Sequence, residues 1–502
     1  MSFYTAMENA MARMVFCLNE NLLAKNDGLA GLIDGKDNIK ASVDDVLWAD
    51  NRSDLICQLN DIERKRAEEG RKFFMFAMSP SFALKEEYEM ENDGWSSCDI
   101  YCYENDETSG ILSCRLRIMK LEIAFIHHDG QALIREFHLY TIQTMKAWPY
   151  VLKQTQNESV PFGIGKIPNF AEPSSEVYLR AEKTVNLLWD RLLRNIEDLF
   201  EKKDGDDGLK NIFDSGNSKR PVLGLTSSPL VSVRTDTTID VVSPVQIFNL
   251  CTEAPNVQTV RRAFYYIKYH MALIDQVWKI EDSKVFYLFA LPDIAYIPGK
   301  RYDKISYDLI PWTLYYADTP YMYMDDVYAI ENILNTWLYG GRRAQLLNFY
   351  ENHMKNDSFI PEMTMKSFGE KSPVHKGEAA ILKKLSDLES HYIPGMFSFH
   401  MATTPVIIFS KDGKSARGTW FDHSATNLGR KKGDHGNISY MVFVGRYMHE
   451  FKKIGNKWYM TRFFGEPLLG MDDWEYDPMN TDGWVVSHQE RDYPQPFASL
   501  EK

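Results

Sequence analysis

The sequence predicts an α+β fold used more than once, in units where a curved antiparallel sheet packs on N-terminal helices. Three observations predict it. The chain has 502 residues, more than one hydrophobic core ordinarily organises; at roughly 150 residues per domain that length suggests about three domains. Landmarks near the N-terminus recur near the C-terminus at a constant spacing. Each recurrence also carries the same order of elements, amphipathic helices first and then long alternating strands joined by tight turns, which is how helices layered on one sheet read.

The recurrence is the strongest of the three, because a missed repeat misassigns a whole fold. KFFMFAMSPSFALKEEYEMENDGWSSCD, residues 72–99, answers FSFHMATTPVIIFSKDGKSARGTWFDH, residues 397–423. Pro80 and Pro405, Trp95 and Trp420, and Gly130 and Gly455 each stand 325 residues apart. LNDIE at 59–63 and LSDLE at 385–389 stand 326 apart, one residue gained or lost between them. A weaker middle copy holds VLGLTSSPLVSV, residues 222–233, where Pro229 takes the place of Pro405, and WKIEDSKVFYLFAL, residues 278–291, with Lys284 beside the place of Lys457. These landmarks divide the chain into units at 1–150, 151–322 and 323–502, the first two degenerate.

The elements follow in order within each unit. The first helix is expected at Tyr4 to Leu23, Glu176 to Phe200 and Ala329 to Phe349. In the middle unit Val185, Leu188, Leu192, Ile196 and Leu199 recur at helical spacing, with Asp and Glu assigned to the opposite face. A further helix carries Ile381, Leu382, Leu385 and Leu388. The strands that follow alternate and turn at Asp129-Gly130, Asp412-Gly413 and Gly455-Asn456, which are hairpin signals. The Pro-, Gly- and Asp-rich stretches 151–173 and 203–220 read as a linker and a surface loop.

Composition narrows the function classes. Hydrophobic residues are 44% and charged residues 25%, a globular balance, and aromatics at 13% suit large cores or aromatic-walled cavities. The net charge of −13 argues against nucleic acid and anionic membranes, because no basic stripe offsets it. No run of about 18 apolar residues exists to span a membrane, and the start MSFYTAMENAMARMVFCLNENLL lacks the marks of a secretory leader. The six cysteines match no zinc or disulfide spacing, which points to reduced thiols and a cytoplasmic location. Cys98 and Cys102 share one face of a strand without further ligands nearby. No phosphate-cradling glycine loop, dinucleotide fingerprint or HExxH spacing is found, so no cofactor and no metal are expected.

The third unit resembles the nuclear transport factor 2-like superfamily, and within it the SnoaL-like polyketide cyclase and dehydratase group. AIENILNTWLYGG, FHMATTPVIIF, SARGTW and VGRYMHEFKKIGNKWYMTRFF carry the resemblance, over roughly Asp325 to Pro494. It implies a cone-shaped domain, and the first two units resemble the group mainly through their symmetry with the third. Several enzymes of the group form trimers of single-domain chains. One chain with three copies then resembles a covalent trimer, a monomer or dimer of which needs no further trimerisation.

The resemblance makes His400, five residues before Pro405, the leading catalytic candidate, since a histidine near neutral pKa can take a proton beside a carbonyl and return it to a leaving hydroxyl. Its counterparts are Met75 and Gly224, which exchange no proton. Tyr339 occupies a helix position where the group often has a tyrosine facing the cone, able to hydrogen-bond a substrate carbonyl. The group often places an aspartate about five residues later; here Ala344 stands there, after Arg342 and Arg343. Asp422 shares strand parity with Trp420 and Gly418, and either orients His400 or caps a strand end. Arg462 shares parity with Trp458 and Met460 and either holds an oxyanion or forms a rim salt bridge. Trp420 and Tyr447 are candidate substrate-binding walls. His423 is expected to face away from the cone, the direction of His449 is open, and His127-His128 is expected to be exposed at a turn.

These residues together suggest a cofactor-independent lyase or isomerase, of dehydratase or hydratase type, acting on a small cyclic or aromatic molecule. The rival is a non-catalytic binding or assembly protein of the same fold; a third alternative, an oxygenase small subunit, requires a large partner chain.

Overall fold

The structure, a computed structural model, describes residues 2–24, 28–35, 39–44, 46–69, 73–86, 90–108, 111–149, 170–189, 209, 223–254, 257–275, 277–295, 324–343, 345–365, 373–390, 398–426 and 439–475. They form three sheets in series. The first contains β1 (Lys40–Val43), β2 (Val46–Ala49), β3 (Phe73–Leu84), β4 (Gly94–Thr108), β5 (Ile111–His128) and β6 (Gln131–Pro149). The second contains β7 (Leu223–Thr226), β8 (Leu230–Thr235), β9 (Thr238–Ala254), β10 (Val257–Ile274) and β11 (Val277–Ala295). The third contains β12 (Glu362–Met365), β13 (His375–Lys376), β14 (Ser398–Phe409), β15 (Ser415–Thr426), β16 (Ser439–Ile454) and β17 (Lys457–Glu475).

The first and third sheets share one topology, β2-β1-β6-β5-β4-β3 and β13-β12-β17-β16-β15-β14, in which the last long strand pairs parallel to a short early one. The second keeps the long meander β11-β10-β9 with β7 and β8 on its edge. Helices precede each meander: α1 (Phe3–Asn19) and α2 (Arg52–Glu69), α3 (Ser175–Trp189), and α4 (Met324–Arg343), α5 (Leu346–Phe349) and α6 (Glu378–Glu389). Positions 190–200 of the expected second-unit helix lie outside the described residues, as do most of the linker and the loop at 203–220. The α+β class, with curved sheets on N-terminal helices, is therefore the observed one.

Pairing registers refine the repeat. Pro80 and Pro405 sit in the same bulge, after Ser79 and Thr404, which both adopt positive φ at 52° and 56°. The residue opposite that bulge is Trp420 in the third sheet but Cys98 in the first, so Trp95 is not the counterpart of Trp420. Trp95 packs instead in a small cluster with Ala83 and Ala124. Likewise the final hairpin of the middle unit turns at Asp275, after Ile274 pairs with Val277, so Trp278 and not the Lys284 region answers the strand start at Trp458. Gly224 does answer His400: each stands two residues before the residue whose backbone N–H donates to a neighbouring unit's bulge hydroxyl, Thr226 to Thr404 and Ala402 to Ser79.

The three units close head to tail. Asn9 of α1 bonds both the N–H and C=O of Val231 in the second sheet, at 3.0 and 3.2 Å. Asn332 of α4 holds Phe82 of the first sheet in the same two-pronged way, at 3.2 and 2.8 Å. Asn186 of α3 donates to Pro405 O in the third sheet at 2.8 Å, and Asn335 to Pro80 O at 2.6 Å. The bulge hydroxyls extend the pattern, Ser79 Oγ accepting from Ala402 N and Thr404 Oγ1 from Thr226 N. Each helix thus clasps the outer strand of the next sheet. On the sheet faces away from the helices, Phe421, Met401 and Val444 join one large core with Phe248, Phe264, Tyr101 and Phe74.

The helices correct one expectation. Acidic residues do not all face water: Glu8 of α1, Glu182 of α3 and Glu331 of α4 are 2%, 7% and 7% exposed. They meet where the three units join. Ser228 and Tyr328 donate to Glu8 at 2.8 and 2.9 Å, and Glu182 also hydrogen-bonds Glu8. Burial pushes the Glu8 carboxyl up to about 7 and the other two well above the usual carboxylate range.

Candidate active site

The helix-facing side of the third sheet carries the candidate residues. Trp337 and Leu334 of α4 pack against Trp420, Tyr447, Phe451, Trp458 and Phe463, forming a core of their own. Strand alternation aims His400 and Ala402 of β14, Trp420, Asp422 and Ser424 of β15, and Tyr447 and His449 of β16 to this one side.

Four of these side chains converge. His400 Nδ1 lies 2.9 Å from Asp422 Oδ2, 2.9 Å from Ser424 Oγ and 3.3 Å from Tyr447 OH. Asp422 is 3% exposed at its side chain and His400 21%, so the carboxylate is sunk and the imidazole keeps contact with solvent. A carboxylate only accepts, so Nδ1 carries the proton and Nε2 the lone pair; the carboxylate fixes both tautomer and ring plane, as in hydrolase triads. Asp422 Oδ1 has no hydrogen-bond partner among the described residues.

The local sequence makes room for this arrangement. A Cβ at Gly445 would come within 3.4 Å of Asp422 Oδ2 and 3.1 Å of Glu466 O, so glycine lets β16 pass behind the carboxylate. A Cβ at Gly418 would strike the Trp420 ring at 1.9 Å; the indole lies over the bare backbone.

Other candidates are placed differently. Arg462 is not brought to this cluster. A bulge pairs Glu450 with Arg462 but Phe451 with Met460, so Thr461 is extra, the alternation reverses, and Arg462 leaves the face of Met460. It lies 3.7 Å from Glu450, which Arg417 meets at 2.8 Å, a rim ion-pair network. Tyr339 is in α4, but its side chain lies outside the described residues, as does Ala344. The carboxylate that the helix lacks is instead supplied to the histidine by Asp422 of β15. His423 faces away from the cone yet is fully buried, 4.7 Å from Tyr101 and 5.6 Å from Phe248, where burial lowers its pKa to about 3. His127 and His128 are exposed at their turn. Ser424 was not anticipated; its parity with Asp422 was the available signal.

The other two units differ at the same place. In the second, a Cβ at Gly224 would meet the Trp189 ring at 2.0 Å, and Trp189 is held by its Nε1–H on Tyr269 OH at 2.9 Å. Tryptophan fills that cone. In the first, Met75 is 3% exposed and its backbone is bonded on both sides by Asn19. A cleft of about 350 Å³, counting its open mouth, lies at the junction of the units. Ala402 and Trp420 line one wall and Glu182 and Glu331 another, but His400, Asp422 and Tyr447 do not line it. Among the described residues no group of three or more His, Cys, Asp or Glu is arranged to hold a metal ion.

Likenesses to solved structures each cover about a third of this chain. A type-2 hexachlorocyclohexane dehydrochlorinase is similar at 16% identity and a TM-score of 0.25, over 31% of this chain and 96% of its own. A candidate scytalone dehydratase from Novosphingobium aromaticivorans is similar at 14% and 0.24, over 31% and 95%. A candidate dehydratase of the NTF2-like family from Streptomyces avermitilis is similar at 12% and 0.24, over 29% and 97%. No protein-family model matches the chain, and no curated protein does.

Proposed function

We propose that the third unit is the catalytic one, a lyase or isomerase of dehydratase or hydratase type working by proton transfer on a small cyclic or aromatic molecule. The observation that carries this is the His400–Asp422 hydrogen bond at 2.9 Å, with no counterpart at Met75 or Gly224. Nε2 of His400 removes a proton from the carbon beside a carbonyl. The C–H electron pair passes into an enolate, the β carbon–oxygen bond breaks, and the protonated imidazole returns its proton to the departing hydroxide as water. Asp422 holds the imidazolium during that interval, and Trp420 and Tyr447 form the wall.

The test is turnover of a panel of cyclic β-hydroxy ketones, followed by the ultraviolet absorbance of the conjugated product. His400→Ala should lower turnover by about 10²- to 10⁴-fold while keeping ligand affinity, and Met75→Ala should leave it unchanged. Full activity in His400→Ala would remove His400 from the mechanism.

A further inference from the structure

The cleft at the junction of the units has a lining of two chemistries. Glu182 of α3 and Glu331 of α4 stand on it with Ser227 and Ser228, while Met78, Ala402 and Trp420 give it an apolar wall. No lysine, arginine or histidine lines it. Its volume of about 350 Å³, open mouth included, is at the small end of ligand pockets, which start at roughly 300 Å³.

The acids of the junction differ in how they are met. Glu8 is satisfied, since Ser228, Tyr328, Tyr178 and Glu182 all hydrogen-bond it. Glu331 is not. It is 7% exposed and lines the cleft, yet no described residue hydrogen-bonds its carboxyl, and the charge that acts on it is that of Glu8. A carboxyl buried without a partner is costly, and few native interiors contain one. Two acids on one small cleft and a third behind them, with no cation in the lining, favour a positively charged guest. A metal ion does not suit the place, since among the described residues no group of three or more His, Cys, Asp or Glu is arranged to hold one. An ammonium group is less demanding. It carries three N–H donors and no acceptor, which carboxylates and a hydroxyl can share. The apolar wall accommodates a short alkyl stem, and an indole face attracts a nearby cation.

We propose that this cleft binds a small primary amine as its ammonium ion, the head on Glu182 and Glu331 and the stem against Met78, Ala402 and Trp420. The site is separate from the reaction assigned to His400, which does not line the cleft. Binding carries a proton balance. Burial raises Glu8 to about 7 and Glu182 and Glu331 well above the usual carboxylate range. The empty site therefore holds protons near neutral pH, and a bound ammonium displaces about one of them. Tyr178 and Tyr328, which face the same acids, are pushed further above the phenol range and stay neutral. Glu172, which acts on Tyr178, is itself met by Asn9 and Arg13. Affinity thus rises with pH until the amine loses its own charge, near pH 10 as for lysine.

The experiment titrates the full chain with propylammonium chloride by calorimetry. 1-Propanol supplies the stem without the charge, and potassium chloride the charge without the stem. The native protein should bind propylammonium at about millimolar or tighter, and about 10-fold or more tighter than either control. Binding should tighten from pH 6 to pH 8, and heats in two buffers of different ionisation enthalpy should show a proton released. Glu331→Gln keeps the size of a side chain that is neutral in the empty site, and should weaken binding by about 10-fold or more, the scale of a hydrogen bond to a charged group. Glu351→Gln removes an exposed acid that bonds Lys355 and should leave affinity unchanged. Should Glu331→Gln fail to fold, the native-protein measurements decide alone. No binding, equal binding of 1-propanol or potassium, an affinity flat in pH, or the same affinity in Glu331→Gln each overturns the proposal. Equal weakening in Glu351→Gln does so too, since it would mean attraction to the general surface charge.

Discussion

Replacing Glu8 by glutamine should flatten the pH dependence of stability. Glu8 meets Glu182 and Glu331 where the three units join, and Tyr178, Tyr328 and Ser228 complete its surroundings. Its carboxyl moves from 4.5 to about 7, chiefly through burial. Between those values the folded chain keeps a proton that the unfolded chain releases, so stability is fullest below 4.5 and falls as pH rises. At 1.36 kcal/mol per pKa unit the loss from this one group approaches about 3 kcal/mol above pH 7. Glu182 and Glu331, raised by the same burial, act in the same direction. Glutamine keeps the shape and stays neutral, and the Ser228 and Tyr328 hydroxyls can turn to meet either end of the amide. Urea unfolding of both proteins at pH 4.5, 6 and 8 is the assay, read at the first transition because a chain of several units need not unfold in one step. The variant should match the native protein at pH 4.5 and exceed it by up to about 3 kcal/mol at pH 8. Parallel curves for the two proteins would mean that Glu8 is not the titrating group and that the buried-carboxyl argument fails.

Two further outcomes concern the joints. Asn332→Ala removes both bonds to Phe82 and leaves two backbone groups short of partners; it should cost about 1–3 kcal/mol, visible in thermal unfolding, whereas Asn352→Ala, whose bonds stay within its own exposed turn, should cost little. The chain should scatter in solution as a monomer or a dimer, since its three clasps are already made internally; a cyclic homotrimer would contradict that account.

Particular residues show how far the sequence could be read. The bulge at Pro80 and Pro405 was legible, because proline in a long strand marks a fixed irregularity, and both are preceded by a residue at positive φ. The face shared by Trp420 and Asp422 was legible too, since alternation runs unbroken through β15. Arg462 was not: the bulge at Thr461 reverses parity with no glycine or proline to announce it. Trp95 misled for a related reason, as the hairpin before it differs in length from the one before Trp420, and identical residues fell out of register by three. The buried glutamates were hidden by the ordinary expectation that a helix turns its acids to water. What exposes them is position: each follows a buried tyrosine by three or four residues, Tyr4, Tyr178 and Tyr328.

Conservation of form among the three units falls on the joints rather than on the cone floors. The asparagine clasps recur as Asn9 and Asn332, and as Asn186 and Asn335, and each unit gives one glutamate to the centre. The place of His400, by contrast, holds Met75 in one unit and Gly224 under Trp189 in another. A physical asymmetry accounts for this. Every joint is shared by two units, so a change there strands a polar group in both, and the ring cannot close around the damage. A cone floor belongs to one unit, and a tryptophan that fills it adds buried apolar area instead of leaving a cavity. Fusion into one chain makes such division possible: in a trimer of identical chains every substitution enters all three cones at once, whereas here His400 can be kept while Trp189 closes its neighbour.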